Sequence, residues 1–219
     1  MAAQPEVQHL SRPARSDRRK ARTRHALVDA ARRILVARGT TDVSIQQITD
    51  EADVGLGSFY NHFTTKAELF ETAVDEVLEE YGRALDATSV DMDDAAEIYA
   101  LGVRMTARLA TTHPAVATVL VQAGSAYLAS DQGLAPRARR DIQRGIDTGR
   151  FTVRDTDLAL TVTAGAVLTH LEVALRDPRR AGNHTADTLA EMLLRSLGMP
   201  GRAATDVAHR PLPPFQDGA

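Results

Sequence analysis

Apolar residues recur at the helical period through almost all of this 219-residue chain, and no segment alternates apolar and polar side chains as a half-buried strand does. That pattern confines the fold to packed helices, and the reading is all-α. From Lys20 to Arg38, Leu27, Ala31, Ile34 and Leu35 share one face, and Gly39 is a helix stop. Further helices are read over Asp93–Thr111, Ala115–Ala123, Ala135–Thr148, Asp155–Arg176 and Thr185–Leu197. Asp155–Arg176 is apolar almost all round, so it has to be buried on more than one side. Residues 199–219 hold four prolines and no periodicity, and are expected to form a tail that is loosely docked or disordered.

Composition narrows the chemistry. Apolar residues make up 43% but aromatics only 4%, so the core is built from Ala, Leu, Val and Ile. There is no cysteine, which removes thiolate chemistry and Cys-ligated zinc or iron–sulfur sites. The N-terminus has no apolar stretch of the signal-peptide type. The longest uncharged run, Leu109 to Ser130, is interrupted by His113, Pro114 and Gly124 and makes a poor membrane span. A cytoplasmic protein with no membrane partner is expected.

The net charge of -3 hides an asymmetry. Residues 1–66 carry 11 Lys+Arg against 7 Asp+Glu, while residues 67–219 carry 15 against 22. Seven basic residues lie between Arg12 and Arg24, including Arg22 and Arg24, with Asp17 the one acid among them. A basic end on an acidic body fits a nucleic-acid-binding head; the bland alternative is a solvated basic tail.

Next to that end lies a punctuated stretch. Ser44-Ile45-Gln46-Gln47 has the form of a capping box, with Val43 and Ile48 as its hydrophobic staple. Thr65-Lys66-Ala67-Glu68 is a second box, opening a helix through Leu69, Ala73, Val77 and Tyr81. Between them, the helices Ser44–Ala52 and Leu56–Phe63 meet at a tight Asp53-Val54-Gly55 turn, which is a helix-turn-helix. The second helix opens with oddities. Gly55 is a weak cap, Gly57 costs roughly 1 kcal/mol against Ala inside a helix, and Leu56 is apolar at an exposed first turn. A helix end that must approach DNA closely tolerates all three, and Leu can meet a thymine methyl. Lys66 sits where a helix dipole disfavours a cation; a bound phosphate would reverse that penalty, although an ordinary surface lysine is the alternative.

The run Gly57-Ser58-Phe59-Tyr60-Asn61-His62-Phe63-Thr64-Thr65-Lys66-Ala67-Glu68-Leu69, with the boxes and turn before it, resembles the DNA-binding domain of the TetR family of transcriptional regulators. The resemblance implies a homodimer that binds a palindromic operator on double-stranded DNA, usually as a repressor, with a variable effector-binding body and a dimer interface on its last two long helices. Four segments are expected: a disordered basic arm over 1–19, whose high charge, few apolar residues and Pro13 keep it from packing alone, a three-helix DNA-binding domain over 20–82, a helical ligand-binding and dimerisation domain over 83–198, and the tail. Carried over by residue, Ser44, Tyr60, His62 and Lys66 match phosphate-contacting or positioning places, while Gln46, Leu56, Gly57, Ser58 and Asn61 match places facing the groove. Tyr60 and His62 also read as core aromatics between helices. Gly55 stands where the family often has a small hydroxyl residue.

For the body, a small-molecule cavity is expected, lined by Val103, Leu109, Val116, Val119, Leu120, Ala123, Tyr127, Phe151, Val162 and Ala166. The effector is unknown, and each of these residues could equally pack a plain core. The dimer interface is expected at Leu160, Val167, Leu168, Leu171, Leu189 and Leu193. No cofactor or metal is expected: His170 and Glu172, two apart on a helix, point in different directions. No phosphate loop, nucleophile elbow or zinc-histidine pair suggests an enzyme or catalytic residues. A helical enzyme or ligand carrier, and a sequence-blind architectural DNA binder, are the rival classes.

Overall fold

The computed structural model describes residues 15–216, and among them there is no strand. The helices are α1 (Arg15–Arg38), α2 (Ile45–Glu51), α3 (Leu56–Phe59), α4 (Lys66–Thr88), α5 (Ala95–Ala107), α6 (Leu109–Thr112), α7 (Pro114–Ala123), α8 (Leu134–Asp147), α9 (Thr156–Arg176), α10 (Asn183–Ser196) and α11 (Gly201–Ala208). A 3-10 turn over Gly124–Ala129 follows α7, and another over Pro178–Arg180 follows α9. The all-α reading holds, with an N-terminal cluster of α1–α4 set against a larger helical bundle.

Two cores organise these elements. The head core joins Leu27, Leu35, Ile48, Phe59, Phe63 and Leu69, and the body core is centred on Leu101, Leu109, Leu120, Ile142, Leu171 and Leu194. Helix α4 belongs to both. Its first turns give Leu69, Phe70, Ala73 and Val77 to the head, and its later turns give Leu78, Tyr81 and Leu85 to the body. Val119 of α7, fully buried, fills the head core from the body side.

The expected arm over 1–19 needs correction. Residues 1–14 lie outside the described residues, but Arg15 onward is already helix. Arg, Lys and Ala are good helix formers, and Asp17 in the first turn complements the helix dipole. The expected tail is corrected too. Helix α11 buries Ala204, Val207 and Ala208. Its prolines bracket the helix rather than interrupt it: Pro200 caps it and the other three follow it. Beyond it, Arg104 Nη1 donates to the carbonyl of Arg210 (2.7 Å), and Gln216 N–H donates to Thr88 Oγ1 (3.1 Å). Phe215 packs on Tyr81 and His113, ring centroids 5.6 and 5.3 Å away. The last described residues are thus strapped across α4 and α5.

The expected helix over Asp93–Thr111 divides at Arg108 into α5 and α6. Helix α9 is the one described helix with the length and composition of a membrane span. Its stripe of Leu160, Ala164, Val167, Leu171 and Ala174 is buried in the bundle. This corrects the expected dimer face. Leu160, Val167 and Leu171, with Leu193 of α10, are enclosed within one protomer, because a helix apolar all round gives no sequence signal for which face turns inward. Leu168 and Leu189 are half-buried. The exposed apolar residues of these helices are instead Leu158, Val162, Val173 and Met192.

One close approach sets the α8–α9 corner. Gly145 of α8 is buried under the ring of Phe151, and a Cβ there would overlap it. Phe151 in turn meets the edge of Tyr99 at 5.6 Å. Gly145→Ala is expected to destabilise the fold by about 1–3 kcal/mol through overpacking. Urea unfolding checks it; an unchanged midpoint would show that Phe151 has room to retreat.

Candidate nucleic-acid interface and internal cavity

The head is built by local rules. Ser44 Oγ accepts from Gln47 N–H (3.1 Å) and Gln47 Oε1 accepts from Ser44 N–H (2.8 Å), a complete capping box. Val43 and Ile48 are both buried in the head core. Helix α2 ends in a Schellman turn: Val54 N–H donates to the Thr49 carbonyl (3.0 Å) and Asp53 N–H to that of Asp50 (3.2 Å). Asp53 holds the left-handed conformation (φ 53°) that the turn demands and that Asp tolerates better than most residues. The chain then redirects at once into α3, held on α2 by buried Phe59. Regular helix ends at Phe59; tighter turns carry the chain on to Phe63.

The second box differs in detail. Thr65 Oγ1 accepts from Glu68 N–H (3.1 Å), but Glu68 reaches past the cap to the N–H of Thr64 (2.7 Å). Lys66 also has a partner that the sequence does not reveal. Its ammonium donates to the carbonyl of Val43 (2.8 Å), tying the entry of α4 to that of α2. That bond accounts for a cation at a helix start and leaves two of its three N–H donors uncommitted.

The residues expected to face a groove come together on one exposed surface. Leu56 is 46% exposed, Gly57 and Asn61 are exposed, and Ser58 is half-buried. A Cβ added at Gly55 or Gly57 would meet nothing within 4 Å. Neither glycine is required by packing inside the protein. Gln46 lies on the neighbouring exposed face of α2, its amide donating to Asp50 Oδ1 (2.6 Å). Tyr60 is 62% exposed with its ring edge against Phe59, so it is not a core aromatic. His62 is half-buried. Burial, then the nearby charges of Lys20 and Arg24, hold its pKa below the usual histidine value. Arg24 lies 5.1 Å over the ring of Phe63, and Arg22, two residues before it on α1, is exposed on a different side of that helix. Cationic side chains therefore flank the exposed α3 surface on the α1 side.

In the body, α4, α5, α8 and α9 surround a partly open cavity of about 80 Å³. Of the ten residues expected to line it, Val103, Leu120 and Tyr127 do so. Leu109, Val119 and Phe151 are buried in the cores, and Val116, Ala123 and Ala166 are half-buried elsewhere. Val162 is 46% exposed on the outer face of α9. Leu160 and Val167, expected at a dimer face, line the cavity instead.

One wall of the cavity is charged. Arg137 of α8 grips Glu79 with both terminal nitrogens (2.7 and 3.0 Å) and donates from Nε to Asp86 (2.7 Å). Arg140 bonds Asp86 (2.9 Å) and Asp141 (3.0 Å). Gly82 makes this possible, since a Cβ there would sit 2.8 Å from the Arg137 guanidinium. The bond from Arg137 holds the Glu79 carboxyl down at about 2, while burial pushes Asp141 up. On the opposite wall the Tyr99 hydroxyl pairs with Thr163 (2.7 Å). Asp86, Arg137, Arg140 and Asp141 were not among the expected site residues, because charges on an amphipathic helix read as a solvated face. The available signal was the four-residue spacing of Arg137 and Asp141, beside the apolar stripe of Ala138 and Ile142. Among the described residues no cluster of metal-ligating side chains occurs.

The comparisons follow the same division. The family of bacterial regulatory proteins of the tetR type matches residues 27–73, and the tetracyclin repressor-like C-terminal domain matches residues 94–210. Among curated proteins none matches. The crystal structure of RolR in complex with its ligand resorcinol is 33% identical, covering 91% of this chain and 100% of that one, with a TM-score of 0.76. RolR without ligand, also 33% identical, covers 88% and 100% with a TM-score of 0.72. A TetR-family regulator from Pectobacterium atrosepticum, 23% identical over 84% of this chain and 97% of that one (TM-score 0.60), shares the fold.

The Glu79–Arg137 pair generates a pH dependence. The folded-state carboxyl titrates near 2 against an ordinary value near 4.5, so the stability it contributes is complete above about pH 4.5 and is lost as pH falls toward 2. Glu79→Gln is expected to lower stability at pH 7 and to flatten its decline between these values. Denaturant titrations at a series of pH values check this; parallel curves for variant and wild type would refute it.

Proposed function

Because the chain belongs to the TetR family of bacterial regulatory proteins, and so is a DNA-binding regulator rather than an enzyme, we propose that it is a cytoplasmic homodimeric repressor released from a palindromic operator by a one-ring phenolic effector. The observation that carries this reading is the course of α4. Asp86, in the charged cavity wall, and Lys66, beside the helix-turn-helix, stand on the same helix.

The division of labour on DNA follows from chemistry. Leu56, Gly57, Ser58 and Asn61 of the α3 surface, with Gln46, read base edges: amides and hydroxyls hydrogen-bond them and Leu meets a methyl. Ser44, Tyr60, His62, Lys66, Arg22 and Arg24 position the phosphates, which fixes register without reading sequence. Self-association uses the outward faces of α9 and α10, where Leu158, Val162, Val173 and Met192 are exposed. A two-fold dimer then meets two half-sites in equivalent ways.

The effector class follows from size and polarity. A cavity of about 80 Å³ is far short of the roughly 300–1,000 Å³ that drug-sized ligands fill. One aromatic ring suits its apolar walls, and ring hydroxyls suit Asp86, Asp141 and the guanidiniums beside them. The resorcinol bound by RolR is such a molecule.

Two tests follow. Fluorescence anisotropy with the duplex upstream of the protein's own gene is expected to show binding that survives excess nonspecific competitor. Resorcinol should weaken it tenfold or more in wild type but not in Asp141→Asn. Loss of binding to competitor alone would favour a sequence-blind binder. Gly57→Ala separates fold from function. With nothing for the added Cβ to meet, the variant should be as stable as wild type, or up to about 1 kcal/mol more so. Its operator affinity should nevertheless fall by roughly tenfold, about 1.4 kcal/mol. Unchanged affinity would remove α3 from the DNA interface.

A further inference from the structure

A second concavity lies outside the body, between the first turns of α4 and the segment after α7. It is an open groove of about 640 Å³ walled by Phe70, Val74, Ala123, Ala126, Tyr127 and Ser130. Tyr127 lines both this groove and the internal cavity. The side chain is therefore the partition between them.

Three features make the partition movable. Tyr127 sits on a 3-10 turn rather than in regular helix, and such turns have poorer hydrogen-bond geometry than an α-helix. Gly124 opens the turn in the left-handed region (φ 57°) and Ser130 closes it by donating to Asp75 Oδ1 (2.9 Å). Tyr127 is 9% exposed, and its hydroxyl is not a buried unpartnered atom: it reaches solvent and makes no hydrogen bond to the described residues. Swinging the ring breaks no polar contact. The opposite side of the cavity is different: entry between α4 and α8 would have to part the Arg137–Asp86, Arg140–Asp86 and Arg137–Glu79 ion pairs.

We propose that the groove is the entrance to the effector cavity and that Tyr127 is its door. The inference rests on the effector reading above and adds the route. A ring molecule resting in the groove passes the displaced tyrosine and comes to lie against the charged wall. Burial pushes the Tyr127 phenol up to about 12, so at neutral pH it remains a donor able to greet an effector oxygen on the way.

The test narrows the groove without touching the cavity. Ala126 is exposed and lines only the groove, so Ala126→Trp adds bulk outside the fold's core and also introduces the only tryptophan of a chain that has none. Circular dichroism of the variant establishes that it is folded. Stopped-flow binding of resorcinol, catechol and phenol to wild type and variant gives the rates, and calorimetry gives Kd. Entry and exit share one path, so both rates are expected to fall together by tenfold or more, with Kd and operator affinity unchanged. Rates equal to wild type would overturn the route and leave the α4–α8 seam as the entrance. A changed Kd with unequal rate changes would overturn it too, since the groove would then be acting as part of the binding site. Absence of calorimetric heat from wild type with all three phenols would remove the effector reading and the entrance with it. Heat from wild type with unaltered variant rates removes the entrance alone.

Discussion

Helix α4 is a member of two hydrophobic cores at once, and the organisation of the molecule depends on that double membership. Leu69, Phe70, Ala73 and Val77 are sealed into the head, while Leu78, Tyr81 and Leu85 are sealed into the body. Each large side chain buried in this way contributes about 1.5–3 kcal/mol. Neither half of the helix can shift far without disturbing contacts of that size. Val119 adds a second apolar contact between the units, since it lies on α7 yet packs in the head core. Head and body are therefore packed against each other through a continuous rigid element, not strung on a linker. Arg32 of α1 reinforces this by donating to Glu80 of α4 at 2.8 Å.

Against that apolar frame, the charged cavity wall is costly to build. Guanidinium and carboxylate groups lose hydration when half-buried, and the loss is offset only if every lone pair and donor is met. Arg137 comes close to that condition, with four of its five N–H donors engaged. It meets Glu79, Asp86 and the Gly133 carbonyl, with Gly82 leaving the space. Hydrophobic packing would fill the same volume at least as stably, so stability alone does not explain the network. Recognition of the hydroxyl groups of the proposed effector would explain it, because buried polar groups left unpaired discriminate strongly against the wrong ligand.

What could be read from the sequence was what local physics decides. The capping box at Ser44, the turn at Asp53 and the amphipathic stripe of α1 depend on residues within a few positions of one another, and each forms as its spacing implies. The α3 surface was legible for the opposite reason: Leu56 and Gly57 made no sense as parts of a free helix. The inward face of α9 was not legible. With apolar residues all round, only the neighbouring helices decide that Leu160 and Leu171 turn in while Leu158 and Val162 turn out. Helix α11 was hidden because its buried stripe is made of Ala and Val, among prolines that signal a loop when counted rather than placed. The cavity charges were hidden because Glu79 and Asp86 meet Arg137 only across more than fifty residues of sequence, where no spacing rule operates.

The size of the cavity bears on how the two units communicate. An apolar cavity of about 150 Å³ holds a benzene ring, and the space here is about 80 Å³. A ring that has passed Tyr127 is accommodated only if the space widens. The α5–α9 wall is pinned by the Tyr99–Thr163 hydrogen bond and by Arg104, whose guanidinium is tied to Asp187 of α10 and to the Arg210 carbonyl. The α4–α8 wall is held by ion pairs whose partners the hydroxyls of the proposed effector would replace. Once a ligand is inside, widening there costs less than at the α5–α9 wall, because the bonds lost are exchanged for bonds to the ligand. A ligand shifts an equilibrium only by its difference in affinity for the two states, and this exchange supplies such a difference. That wall contains α4, whose other end is locked into the head, so a displacement at Asp86 would be carried to Lys66 and to the α2 entry that its ammonium holds.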